Sequence, residues 1–290
     1  MPGSHTYEPK RARRSARLSI RGVDYEVSEW GSASDPLLVY LHGWGDTGST
    51  FQFVVDELRR DWFVIAPDWR GFGRTAVDAP TYWFPDYLAD LDHLLRHYSP
   101  DAPVRLVGHS MGGNVAGLYA GAIPERVVSV INLEGVGLPD TDPTEAPDRY
   151  RDWIECSHTR PEYSERDNFS TLAKTIRRKS PRMTSAQAEF VAREWAEENT
   201  DGRIRLRADP AHKLPGPVLY RRAEAEACWR NVAAEVLLVA GRRSDFGSHI
   251  DLPFPRRQVA WIEDAGHMLH FEQPGLLARL IEEFLTKPST

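Results

Sequence analysis

Val107-Gly108-His109-Ser110-Met111-Gly112-Gly113-Asn114 places a serine at the centre of Gly-x-Ser-x-Gly. An apolar, β-branched approach at 103–107 precedes it, and a run rich in glycine and alanine follows at 113–122. The approach reads as a short buried strand, and the small residues read as a helix able to pack closely behind it. Glycines on both sides of the serine tolerate a sharp strand-to-helix turn that holds the hydroxyl strained and exposed. Ser110 is therefore the expected nucleophile. The pentapeptide alone recurs by chance, so its flanks and its partners downstream give it weight.

Outward from this stretch the chain alternates. Towards the N-terminus, 17–20 and 23–27 alternate polar and apolar around Arg21-Gly22, which predicts an antiparallel strand pair at a sheet edge. Residues 37–41 and 62–66 read as strands. Helical faces are expected from Phe51, Val54, Val55 and Leu58, and from Tyr87, Leu91, Leu94 and Tyr98. After the serine come a strand at 127–133, strands at 236–240 and 258–262, and a last helix at 274–284. Alternating strand and helix predict an α/β fold, a mostly parallel central sheet flanked by helices. From 139 to 230 the alternation stops and the sequence turns polar, aromatic and proline-punctuated. This predicts a helical cap, or lid, inserted into a core formed by 17–138 and 231–290. Thr184-Ser185-Ala186-Gln187 has capping-box spacing within the cap, with Phe190, Val191 and Trp195 as the stripe behind it.

Composition narrows the class. A chain of 290 residues with 41% hydrophobic content can bury one large core with an inserted subdomain. The net charge of -6 includes no basic face of the kind nucleic acid requires, so the expected partner is a small molecule. Cys156 and Cys228 are too few for a disulfide framework or a cysteine metal site. No metal or cofactor is expected. The basic cluster Lys10-Arg11-Ala12-Arg13-Arg14 lacks a following apolar segment, so 1–16 reads as a disordered basic tail rather than a signal peptide. No run approaches a membrane span, and a soluble cytoplasmic protein is expected.

A serine hydroxyl needs an aligned base, and the base needs a carboxylate to fix its tautomer. His267, in Ala265-Gly266-His267-Met268, follows the last strand and precedes the last helix, and is the expected base. His270, without the glycine context, reads as a packing or supporting residue. Two acids compete. Asp245 lies just past the strand at 236–240, and Glu134 lies just past the strand at 127–133. Both can face one imidazole, because active sites of open parallel sheets gather at the strands' carboxyl ends. Asp245 ranks first and Glu134 is the reserve. The backbone N–H groups of Met111 and Trp44 are the expected oxyanion donors. The Trp44 indole is a candidate pocket wall, with Trp153 and Trp195 as further candidates. His42 precedes a glycine turn and reads as structural, its ring bonded to the loop backbone.

Leu41-His42-Gly43-Trp44-Gly45, Asp68-Trp69-Arg70-Gly71-Phe72-Gly73-Arg74-Thr75, Gly108 to Gly113, Gly241 to Asp245 and Gly266-His267 resemble, in order, the motifs of the α/β-hydrolase superfamily. The resemblance covers nearly the whole core and belongs to the serine-nucleophile branch with a helical cap. It implies an acyl-enzyme route, most simply carboxylic ester hydrolysis of a small apolar or aromatic substrate. Carbon–carbon bond hydrolysis and perhydrolysis are compatible with the same residues. Branches with an aspartate nucleophile are excluded by Ser110.

Two readings of other classes compete. Gly43-Trp44-Gly45-Asp46-Thr47-Gly48 follows a strand with Asp68 at the distance of a ribose-binding carboxylate, which imitates a dinucleotide fingerprint. The helix is expected to begin only at Ser49 or Thr50, leaving the glycines in a loop rather than at a helix N-terminus. A non-catalytic receptor on the same scaffold is the other rival, since fold does not fix function.

Overall fold

The computed structural model describes residues 6–159 and 161–286. The chain opens with β1 (Arg14–Ile20) and β2 (Val23–Trp30), paired antiparallel. They turn through Arg21 at φ 49° and Gly22 at φ 79°, the two positive angles that a tight two-residue hairpin of matching twist requires. Then come β3 (Leu37–Leu41), a 3-10 turn at Gly48–Phe51 leading into α1 (Gln52–Val55), β4 (Phe63–Pro67) and α2 (Pro85–Tyr98). After these follow β5 (Val104–His109), α3 (Met111–Ala122) and β6 (Val127–Leu133). The insertion holds α4 (Ala146–Ser157), α5 (Phe169–Lys179), α6 (Ser185–Trp195), β7 (Ala196–Glu198), β8 (Ile204–Leu206) and α7 (Arg222–Arg230). The chain returns through β9 (Glu235–Gly241), β10 (Arg257–Ile262), α8 (Leu269–Glu272) and α9 (Pro274–Thr286).

Eight strands form one sheet in the order β1-β2-β4-β3-β5-β6-β9-β10, parallel from β4 onward. Successive residues of the inner strands enter opposite layers, as the two-residue period of a strand dictates. Leu106, Val130 and Leu238 pack with Leu91 of α2, Val115 of α3 and Trp229 of α7. Val107, Ile131 and Val239 pack with Val54 of α1 and with Leu277 and Ile281 of α9. Burial on both faces is why these strands read as unbroken apolar runs.

The insertion carries its own cluster. Leu172, Ile176, Met183, Ala188 and Val191 pack together and rest on Phe53 and Phe271 of the core. The capping box at Thr184 is present and begins α6. Two features depart from the expected cap. Residues 196–206 form a short antiparallel hairpin rather than helix, and α7 packs on α3 so closely that a β-carbon on Gly121 would lie 2.0 Å from the Cys228 carbonyl oxygen. By packing, α7 therefore belongs with the core. α4 buries none of its residues, and its Tyr150 and Ile154 are exposed.

Residues 6–16 contradict the expected disordered tail, while 1–5 lie outside the described residues. Tyr7 donates to Asp56 at 2.5 Å, Lys10 pairs with Glu57, and both Arg13 guanidinium nitrogens reach Glu194. The charge run is solvated on one side only, because acids distant in sequence meet it on the other. No helix among the described residues is long and apolar enough to cross a membrane.

Candidate active site

Five strand ends converge at the carboxyl edge of the sheet. β5 ends at His109 and α3 begins at Met111, so Ser110 carries the whole reversal, at φ 49° and ψ -112°. The turn is tight enough that a β-carbon on Gly112 would fall 2.0 Å from the Leu41 carbonyl oxygen. The Ser110 N–H donates to the Leu133 carbonyl at 2.8 Å, tying the serine to the end of β6. Glu134, the next residue there, also has positive φ, 56°. Such angles cost a non-glycine residue about 1–2 kcal/mol, and two of the four that occur among the described residues fall here. Strain of this kind persists where the surroundings over-determine it.

The structure brings Glu134, and not Asp245, to His267. Glu134 Oε2 accepts from His267 Nδ1 at 2.6 Å and from Ser244 Oγ at 2.7 Å, and Oε1 accepts from the Gly241 N–H at 2.9 Å. The carboxylate is fully buried, so three donors replace its water. A carboxylate only accepts, which places the proton of His267 on Nδ1 and leaves Nε2 as a lone pair able to take a proton. Asp245 instead starts an exposed 3-10 turn, Asp245–His249, capped by Ser244. Its expected contact with the imidazole is absent, because Glu134 reaches over the end of β9 and occupies that place. Among the described residues no hydrogen bond joins Ser110 Oγ to His267. Bonds of this kind are commonly long before substrate binds.

Both expected oxyanion donors are available: neither the Trp44 nor the Met111 N–H has a hydrogen-bond partner among the described residues. Met111 opens α3, whose first N–H groups are unpaired by geometry. The Trp44 indole is exposed, and the Phe246 ring lies 4.5 Å from the His267 imidazole. Sequence reasoning missed Phe246, although it directly follows the favoured acid. The Trp195 Nε1–H donates to Asp46 at 2.8 Å across the seam between insertion and core. Trp153 is half-buried on α4.

His42 is structural, as expected: Nδ1 donates to the Gly43 carbonyl at 2.7 Å and Nε2 accepts from the Trp69 N–H at 2.8 Å. Burial lowers its pKa to about 4 and keeps it neutral. Asp68 does not serve a ribose. Its two oxygens accept the Gly48 and Arg74 N–H groups, and burial raises its pKa to about 6. Both oxygens are engaged by the loops they join, and the side chain is buried.

Asp46, His109 and His270 bring three ligand-type atoms within 4.8 Å of one another. A zinc-like ion binds at roughly 2.0–2.2 Å and draws its ligands closer than this. His270 Nε2 already bonds Asp46 Oδ2 at 3.1 Å, while His109 packs beside this pair and bonds the His267 carbonyl instead. A separate cleft of about 810 Å³ opens between Gly71, Thr75 and Val77 of the core and Tyr163, Arg205 and Arg207 of the insertion, away from Ser110.

Comparison with known proteins agrees with the fold. A family model described as alpha/beta hydrolase fold matches residues 36–274. A serine hydrolase-like protein of Danio rerio is 26% identical over 97% of this chain and 90% of its own. A 3-hydroxybutyrate-oligomer hydrolase of Cupriavidus necator is 27% identical over 89% of this chain and 91% of its own. Among solved structures, a thioesterase domain from the curacin biosynthetic pathway superposes with a TM-score of 0.85 at 23% identity, over 94% of this chain and 99% of that one.

Proposed function

The chain belongs to the α/β-hydrolase fold family, and we propose that within it the protein hydrolyses carboxylic esters through an acyl-enzyme on Ser110. The observation that carries this reading is the 2.6 Å contact of buried Glu134 with His267, which presets the tautomer a base needs. His267 Nε2 takes the Ser110 hydroxyl proton as Oγ attacks the ester carbonyl. The tetrahedral oxyanion is held by the N–H groups of Trp44 and Met111, each such donor being worth roughly 10²–10³ in rate. The imidazolium, stabilised by Glu134, protonates the departing alcohol. Water then enters and attacks the acyl carbon as His267 takes its proton. The second tetrahedral intermediate collapses by breaking the bond to Oγ, with His267 returning the proton to Ser110 and the acid leaving.

The surroundings favour an apolar or aromatic acyl group. Trp44 and Phe246 are exposed rings beside the site. The serine hydrolase-like protein and the 3-hydroxybutyrate-oligomer hydrolase to which the chain is similar support hydrolysis as the reaction class. The test is turnover of a panel of p-nitrophenyl esters of increasing acyl length. Ser110→Ala is expected to lower kcat/KM by at least about 10³-fold. Equal turnover by the variant contradicts the mechanism, and a wild-type protein inert to the whole panel favours the receptor reading.

A further inference from the structure

His109 directly precedes Ser110, is enclosed, and is not a reacting group. Its Nε2 lies 2.9 Å from the carbonyl oxygen of His267. A carbonyl only accepts, so Nε2 carries the proton and Nδ1 is bare. Burial, with His270 and His267 close by, holds the ring's pKa well below 6.5 and agrees with a neutral imidazole. Nδ1 has no hydrogen-bond partner among the described residues. It faces Gly43 of the oxyanion loop, where a β-carbon would approach it to 2.7 Å.

Burying an unpaired ring nitrogen is unfavourable, and a leucine would fill similar space without it. The fold accepts that nitrogen for what the other one does. The main chain before His267 has its own anchors: the Gly266 N–H donates to Glu272 at 2.6 Å, and the Ala265 carbonyl accepts from the Arg243 N–H at 3.0 Å. The carbonyl of His267 itself is held, among the described residues, by His109 alone.

We infer that His109 is a positioning residue that fixes the base relative to the nucleophile. Glu134 holds the imidazole of His267 and His109 holds its backbone, so the ring cannot pivot about either anchor alone. Because His109 is covalently joined to Ser110, one side chain sets the separation between the two reacting residues. The inference rests on the proposed roles of Ser110 and His267.

Three substitutions test it. His109→Leu removes the donor, His109→Gln keeps an amide N–H at about the reach of Nε2, and His109→Asn keeps one too short to arrive. Loss of alignment is expected to lower kcat roughly 10- to 100-fold in the leucine and asparagine variants. KM should stay within about twofold, and fluorophosphonate labelling of Ser110 should slow by the same factor as kcat. Glutamine should restore most of both rates. Urea midpoints identify any variant that fails to fold; if leucine fails, glutamine against asparagine decides. Equal rates for the donor and non-donor variants overturn the inference while leaving the mechanism intact. A wild-type protein that neither labels nor turns over overturns the mechanism, and this inference with it.

Discussion

Two carboxylate–histidine pairs flank His109, and the difference between them separates chemistry from architecture. Glu134 and His267 meet at 2.6 Å, with the imidazole side chain 28% exposed. Asp46 and His270 meet at 3.1 Å, with exposures of 2% and 0%. Their rings lie 4.7 Å and 4.5 Å from that of His109. The groups are the same in kind, but only the first can meet substrate. The second ties parts together: Asp46 follows the glycine loop at 43–45 and accepts from Thr50 Oγ1, from Trp195 of the insertion and from His270 near His267. Burial alone would raise the Asp46 pKa, but His270, His42 and the Trp195 hydrogen bond together outweigh it, and the net direction is down.

Parallel substitutions sharpen that comparison. Glu134→Gln should reduce kcat by roughly 10²–10⁴-fold, because an amide can donate to Nδ1 and turn the imidazole to the wrong tautomer. Urea stability of the variant should fall much less than its rate. Asp46→Asn should show the reverse. An asparagine offers one acceptor oxygen to three donors, and disrupting a buried pair of this kind costs about 3–5 kcal/mol. Its folded fraction should keep kcat within about tenfold of the parent, since the residue acts only through its neighbours. If Asp46→Asn abolishes turnover without loss of stability, the division between the pairs fails.

Acid should weaken the fold through its buried histidines. Burial lowers the pKa of His42 and of His212 to about 4, against about 6.5 in an unfolded chain. Between those values the unfolded chain binds protons that the folded one does not, so stability rises with pH and is lost as pH falls. His109 is shifted in the same direction. Asp68, raised to about 6, works against this trend, because there the folded chain binds a proton first. The histidines outnumber it. The urea midpoint should therefore be lower at about pH 4.5 than at about pH 7.5, and a midpoint that is unchanged or higher contradicts the assignment. The smallest effect belongs to Asp245→Asn, which should change kcat by less than about threefold, as expected of an exposed side chain without a partner in the site.

The core, and the places of Ser110 at the strand-to-helix turn and of His267 past the last strand, were legible in the sequence for identifiable reasons. Parallel strands buried on both faces leave unbroken apolar runs, and a strand-to-helix reversal at a serine needs glycines that can be counted. The carboxylate that bonds His267 was not legible. Glu134 and Asp245 both follow strand ends, and choosing between them requires knowing that a backbone at positive φ throws Glu134 across β9. The clue available was Ser244, whose hydroxyl both caps the following turn and donates to Glu134, leaving Asp245 outside. The β7–β8 hairpin escaped because strands of three residues have no measurable period. The ordered segment at 6–16 escaped because Asp56, Glu57 and Glu194 lie far away in sequence.

The central claim is that Ser110 is a nucleophile activated by the His267–Glu134 pair. Its most direct test is intact-mass and peptide analysis after brief exposure to a fluorophosphonate. One adduct should form, on the peptide containing Ser110, and it should be absent in Ser110→Ala and slow to form in Glu134→Gln. An unlabelled wild-type protein, or an adduct that persists in Ser110→Ala, would contradict it.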